Sequence, residues 1–244
     1  MDDWFETLQA RSGLPADAVF ELEQRGFIVV PGPVPAEQME RLTDAYDAAM
    51  SSASGADLRV GSTSTRLSDF VNRGEEFDGL YVFPPLLDAC CRVIGRPFKL
   101  SSLQARTLRP HTSAPGLHVD VQRESADWPL LGFILMVDDF LPENGATRFA
   151  PGSHQMLTAT EGVSAEFLAE ADSQVSACGP AGSIIIFNGS ALHGHGANSS
   201  DEPRRSLQGA FIPREGKAAT DFAASMQPET RARLSALARC VLGA

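Results

Sequence analysis

Cysteine is scarce in this sequence and carries no pairing signal. The four cysteines, Cys90, Cys91, Cys178 and Cys240, show no C-x-x-C spacing, which argues against zinc-knuckle ligation and a disulfide framework. Reduced thiols acting as small hydrophobes are expected instead. Positive charge is also short: 20 Lys and Arg stand against 31 Asp and Glu, a net charge of −11. Such a chain is repelled by nucleic-acid phosphates and by anionic lipid. No long apolar run exists. The longest, Leu130 to Val137, is interrupted by Gly132 and falls far short of the roughly 20 residues a membrane helix needs. The start, MDDWFETLQA, is acidic where a secretory signal requires a basic one. These absences lead to the expectation of a soluble, cytoplasmic protein that binds neither nucleic acid nor membrane.

What is present is a hydrophobic content of 43% over 244 residues, enough for one domain spanning residues 1–244 with a sizeable core. The first part, to about residue 97, reads as helical. A helix closes at Gly26, a strand covers Phe27 to Val30, a helix runs from Val34 to about Met50, and another from Leu80 to Ile94. The Ser-, Thr- and Gly-rich stretch Ser51–Ser68 reads as a loop. From Phe98 the periodicity changes to short strand-like runs: Leu100–Leu108, Leu130–Val137, Ala146–Ala150, Gln174–Cys178, Ser183–Phe187 and Ser206–Ile212, with one helical stretch at Ser164–Ala171. A helix from Pro228 to Leu242 ends the chain. Helices followed by regularly spaced antiparallel-type strands point to a mostly β fold with flanking helices, a cupin-like jelly roll or double-stranded β-helix, with its core at about 98–215 and a C-terminal helix at about 227–243.

The chemistry sits on histidines. His118-Val119-Asp120 places an imidazole and a carboxylate two residues apart. On extended backbone they project to the same side and can grip one ion. A third ligand from a remote strand would complete the two-His-one-carboxylate face of oxygen-activating iron(II) enzymes, which leaves other positions open. The second segment is an apolar strand from Gly182 ending in a Gly-rich turn with His193 and His195, followed by Arg204, Arg205 and another apolar strand. A buried arginine on such a strand can take a carboxylate through two parallel charge-assisted hydrogen bonds.

These pieces resemble the phytanoyl-CoA dioxygenase family of Fe(II)/2-oxoglutarate oxygenases. The likeness rests on Leu117-His118-Val119-Asp120, then Asp138-Asp139-Phe140 to Glu143-Asn144-Gly145, then Pro151-Gly152-Ser153-His154, and finally His193 with Asn198, Ser200 and Arg204. The resemblance implies that His118, Asp120 and His193 bind iron(II). It also implies that an arginine eleven positions after the distal histidine holds the tail of 2-oxoglutarate, and this count gives Arg204, whereas counting from His195 gives Ser206. Arg205 has the opposite strand parity and is expected to face outward. Gln104, His195 and Ser206 are further co-substrate candidates, with Arg106 assigned to substrate or co-substrate and Trp128 to a substrate wall or lid. The expected pocket draws on Ser51–Ser68, the Arg106 strand, Val121–Leu131 and the C-terminal helix.

The implied reaction consumes O₂ and 2-oxoglutarate, releases succinate and CO₂, and oxidises a small molecule. The carboxylate at Asp120 implies hydroxylation, or a related desaturation, cyclisation or demethylation, rather than halogenation. Arg106 and Arg66 would suit an anionic or zwitterionic substrate. The alternative is a cupin-like metal-binding protein without oxygenase activity, or a zinc hydrolase, which would leave Arg204 without a purpose. His111 reads as loop and His154 as structural.

Overall fold

The computed structural model describes residues 3–53, 55–121, 129–156 and 174–244. Trp128 and the stretch Ser164–Ala171 lie outside them. Among the described residues, ten strands form two sheets. The strands are β1 (Phe27–Pro31), β2 (Leu58–Val60), β3 (Ser64–Leu67), β4 (Phe98–Leu108), β5 (Leu131–Met136), β6 (Thr147–Phe149), β7 (Val175–Ala177), β8 (Ser183–Asn188), β9 (His193–His195) and β10 (Arg204–Pro213). The large sheet runs β1-β8-β5-β10-β4-β3-β2 and the small one β7-β6-β9, with antiparallel pairing in both.

The centre of the large sheet is buried on both faces, which is why β5 and β8 read as unbroken apolar runs rather than alternating ones. One face packs under helices α1 (Asp3–Gln9), α2 (Ala16–Arg25), α3 (Met39–Ser52) and α4 (Pro84–Val93). Leu103, Phe133, Leu135, Leu207 and Phe211 of the sheet meet Phe5, Leu22, Leu42, Tyr46 and Leu87 there. The other face meets the small sheet, where Phe27, Ile134, Ile185, Phe187 and Phe149 form a second core and Phe27 stacks on Phe149 at 4.2 Å. The jelly-roll architecture therefore has a wide wall and a narrow wall with a space between them.

Local chemistry explains the ends. Gly26 closes α2 with φ 81°, and its N–H donates to the Leu22 carbonyl at 3.0 Å, a left-handed cap glycine adopts at no steric cost. Pro84 opens α4 at the first turn, where its missing donor is harmless.

Some expected boundaries differ. Ser51–Ser68 is largely ordered: α3 runs to Ser52, and β2 and β3 form an edge hairpin. The residues between them are polar because an edge strand faces solvent. The C-terminal helix is two short helices, Pro228–Arg233 and Ala236–Leu242, separated where Leu234 is extended and Ser235 caps the second with its side chain on the Ala238 N–H. The helix expected from Val34 begins as a single 3₁₀ turn at Ala36–Gln38. The helix expected from Leu80 starts only at Pro84. Cys178 is exposed, while Cys90 and Cys91 are buried and Cys240 is partly so; all four are free. Among the described residues, no helix is long and apolar enough to cross a membrane.

Candidate active site

His118 and His193 come from remote segments and are joined by backbone. Each N–H donates to the other's carbonyl at 2.9 Å, so the H-x-D stretch adds a short bridge to the small sheet beside β9. The Gly-rich segment carrying His193 and His195 is thus strand rather than turn, since β9 pairs with β6 through Phe149↔His193 and Thr147↔His195.

The bridge brings three potential ligands together. His118 Nε2 is 3.8 Å from Asp120 Oδ1, and His193 Nε2 is 3.8 Å from Asp120 Oδ2. Two donors each about 2.1 Å from a shared ion can stand at most about 4.2 Å apart, so these separations fit a single metal. His118, Asp120 and His193 are the one group of at least three His, Cys, Asp or Glu side chains with ligand atoms so clustered among the described residues. The ring of His193 is fixed from behind. Its Nδ1 is 2.9 Å from the Ala191 carbonyl oxygen, an atom that can only accept. Nδ1 therefore carries the hydrogen and Nε2 presents its lone pair to the cluster. Burial holds this imidazole's pKa below the ordinary value, against the opposing pull of Asp120, so it stays neutral as a ligand must. Phe187 packs against its ring at 4.6 Å. Gly132 makes room for Phe187, because a Cβ at residue 132 would fall on that phenyl ring.

The space between the walls is a cavity of about 610 Å³, of the size that holds small-molecule ligands. His118, Asp120, His193, His195, Gln104, Arg106 and Arg66 all line it. From the expected Val121–Leu131 stretch, Leu130 is the contributor among the described residues, and the chain end supplies Ala219, from the loop before the C-terminal helices. The expected helix does not reach because residues 213–220 intervene, tied to β4 through Ser101. Thr147, Ser102 and Gln208 also line the cavity and were missed. Gln208 was accessible by counting in twos from Arg204 along β10. Thr147 was not, because only its pairing with His195 puts it there.

Arg204 and Ser206 are buried and are not among the lining residues. Arg204 is 1% exposed, its guanidinium lies 3.9 Å over the Phe140 ring, and none of its three nitrogens has a hydrogen-bond partner. Burial lowers its pKa to about 9, with nearby Arg106 adding to the shift. A buried, unmatched guanidinium is costly and fits a carboxylate guest. The Ser206 hydroxyl donates to the Arg106 carbonyl at 3.1 Å, so its proton is already committed. Arg205 faces outward, bound to Asp138 and Asp47.

His195 is buried, and its Nδ1 lies 2.7 Å from the Gly196 carbonyl oxygen, so Nδ1 holds the hydrogen and Nε2 is an acceptor. Burial, reinforced by Arg106, Arg204 and Arg148, brings its pKa to about 4. It stays neutral near pH 7 and cannot donate from Nε2 to a carboxylate.

The phytanoyl-CoA dioxygenase (PhyH) profile matches residues 22–206, which include His118, Asp120, His193, His195, Arg106 and Arg204 but leave out Gln208, the rest of β10 after Ser206, and Ala219. The chain belongs to the phytanoyl-CoA dioxygenase family. Membership makes it an iron- and 2-oxoglutarate-dependent dioxygenase acting with O₂, and decides against the non-oxygenase alternative. It is 27% identical over 239 residues to the dioxygenase FrzG of Cladobotryum sp, covering 86% of this chain and 78% of that one. It is 28% identical over 216 residues to the dioxygenase trt7 of Aspergillus terreus, covering 82% and 73%. In fold it resembles EctD from S. alaskensis solved with 2-oxoglutarate and 5-hydroxyectoine (TM-score 0.68, 19% identity, 83% of this chain and 77% of that one). It also resembles the carbocyclase SnoK from nogalamycin biosynthesis (TM-score 0.67, 18% identity, 88% and 91%).

Proposed function

We propose that residues 1–244 act as one catalytic domain in which His118, Asp120 and His193 hold iron(II), Arg204 anchors the distal carboxylate of 2-oxoglutarate, and a small molecule in the cavity is oxidised, hydroxylation being the default outcome. The observation that carries this reading is the pairing of a convergent donor set with a buried guanidinium lacking any hydrogen-bond partner. Iron bound there supplies the O₂ activation that no side chain in the cavity offers.

The chain's own residues orient and exclude. Ala191 fixes the His193 tautomer, and Asp120 sets its carboxylate between the two imidazoles. Arg204 acts in a low-dielectric setting where a charge-assisted pair gains strength. Gln104 on the cavity wall is a candidate second contact for the co-substrate, and His195 accepts a hydrogen from substrate or water. Ser206 supports Arg106 rather than the carboxylate. The lining carries Arg66 and Arg106 against the single carboxylate of Asp120, which supports an anionic or zwitterionic substrate. Cytoplasmic placement is supported by four thiols that lack pair spacing.

The test is anaerobic addition of iron(II) and 2-oxoglutarate, followed in the visible range for the charge-transfer band of the chelate. The band is expected in the natural protein and absent in His193→Ala. Its persistence in that variant would overturn the ligand assignment.

A further inference from the structure

Arg66 and Arg106 face each other on neighbouring antiparallel strands, β3 and β4, and both line the cavity. Directly paired positions put their Cα atoms about 4.5–5.5 Å apart. Like charges in such a pair repel. Neither arginine forms an ion pair among the described residues, although the chain holds 31 acidic side chains that might have been placed there. The one hydrogen bond from the Arg106 side chain runs from Nε to the Ser64 hydroxyl at 3.3 Å, long and neutral. Burial, then the Arg66 charge, brings the pKa of Arg106 down to about 10.

The surroundings are polar in the same sense. Ser62 and Thr63, in the β2–β3 turn, line the cavity next to Arg66. The pair sits on the wide wall, while His118 and His193 belong to the narrow one. A molecule held by one end at the pair therefore spans the gap towards the metal ligands.

We infer that Arg66 and Arg106 form a two-guanidinium subsite for an oxyanion of the primary substrate, a carboxylate or a phosphate monoester, and that this pair, not Arg204, sets substrate selectivity. The inference rests on the proposed assignment of Arg204 to 2-oxoglutarate. Two cations on adjacent strands, unopposed by protein carboxylates, are neutralised by the guest, whose opposite end is then presented for oxidation. Arg66 is exposed on the hairpin and Arg106 is mostly enclosed, so the former meets the anion first and the latter holds it in the drier part of the cavity.

Sulfate is the probe. It is titrated calorimetrically into protein saturated with iron(II) and 2-oxoglutarate under argon, so that Arg204 is already engaged. One sulfate is expected per chain, with affinity weakened at least about tenfold in R66Q and in R106Q, as for loss of one charged partner. R66Q, on an exposed position, keeps the test valid if R106Q fails to fold. Parallel titrations with acetate and methyl phosphate separate a carboxylate guest from a phosphate one. Sulfate binding that is equal in the natural protein and R66Q, including no binding in either, overturns the subsite. If R66Q weakens 2-oxoglutarate as much as R204Q does, the pair belongs to the co-substrate and the inference also fails. Undiminished 2-oxoglutarate binding in R204Q would instead sink the underlying functional reading, whatever sulfate does.

Discussion

Arg204 and Arg205 are consecutive, yet one guanidinium is sealed over Phe140 without a hydrogen-bond partner and the other is held by Asp138 at 2.6 Å and Asp47 at 2.7 Å. Strand alternation alone separates them. Substituting each should therefore have opposite consequences. R204Q should weaken 2-oxoglutarate by about 100-fold, the scale of losing a buried charged partner worth about 3 kcal/mol, without lowering the free energy of unfolding. R205Q should cost about 1–2 kcal/mol of stability through its charged hydrogen bonds and leave 2-oxoglutarate affinity alone. Urea unfolding and anaerobic ligand titration read the two effects, and the reverse pattern would contradict the assignment.

His118→Ala should leave the fold intact and abolish iron binding. The bridge to His193 uses only backbone atoms, so truncating the imidazole removes a ligand and no sheet hydrogen bond. Iron affinity should drop by more than about 100-fold, beyond the usual effect of losing a ligand's supporting partner, while the melting temperature of metal-free protein stays put. Metal analysis after gel filtration and a thermal melt decide this.

Gly132→Ala tests the path from sheet to metal centre. The added methyl meets the Phe187 ring, which packs on His193. Overpacking should cost about 1–3 kcal/mol and loosen iron. Gly79→Ala, where nothing lies within 4 Å of the added carbon, is the control and should change iron affinity little. Equal effects from both substitutions would refute the link.

Arg66→Gln should raise the stability of ligand-free protein. Removing one of two like charges paired across β3 and β4 relieves about 0.2–1 kcal/mol, and the gain should shrink as salt screens the pair. Chemical unfolding at low and high sodium chloride measures it. A loss of stability at both would mean the arginines are held apart or matched in solution.

The order of elements was legible in sequence wherever burial imposes a pattern. Apolar runs marked β5 and β8 because both of their faces are covered, and Gly26 marked the end of α2 because only glycine takes that backbone cheaply. The hairpin β2–β3 was not legible, since an exposed edge strand needs no hydrophobic signature. The short strand β9 was hidden for another reason: its Gly-rich composition suggests a turn, and pairing with β6 overrides local preference.

The residue types of the site were likewise fixed by chemistry readable in one dimension. An H-x-D pair, a remote histidine and an arginine at the right parity name the groups proposed to meet a ferrous ion and a keto-diacid. Where Thr147 stands, whether the Ser206 proton is free, which tautomer His195 adopts, and that Arg66 lies opposite Arg106 were decided only in three dimensions. Alternation along a strand is a property of the chain, but register between strands comes from the packing of both cores at once.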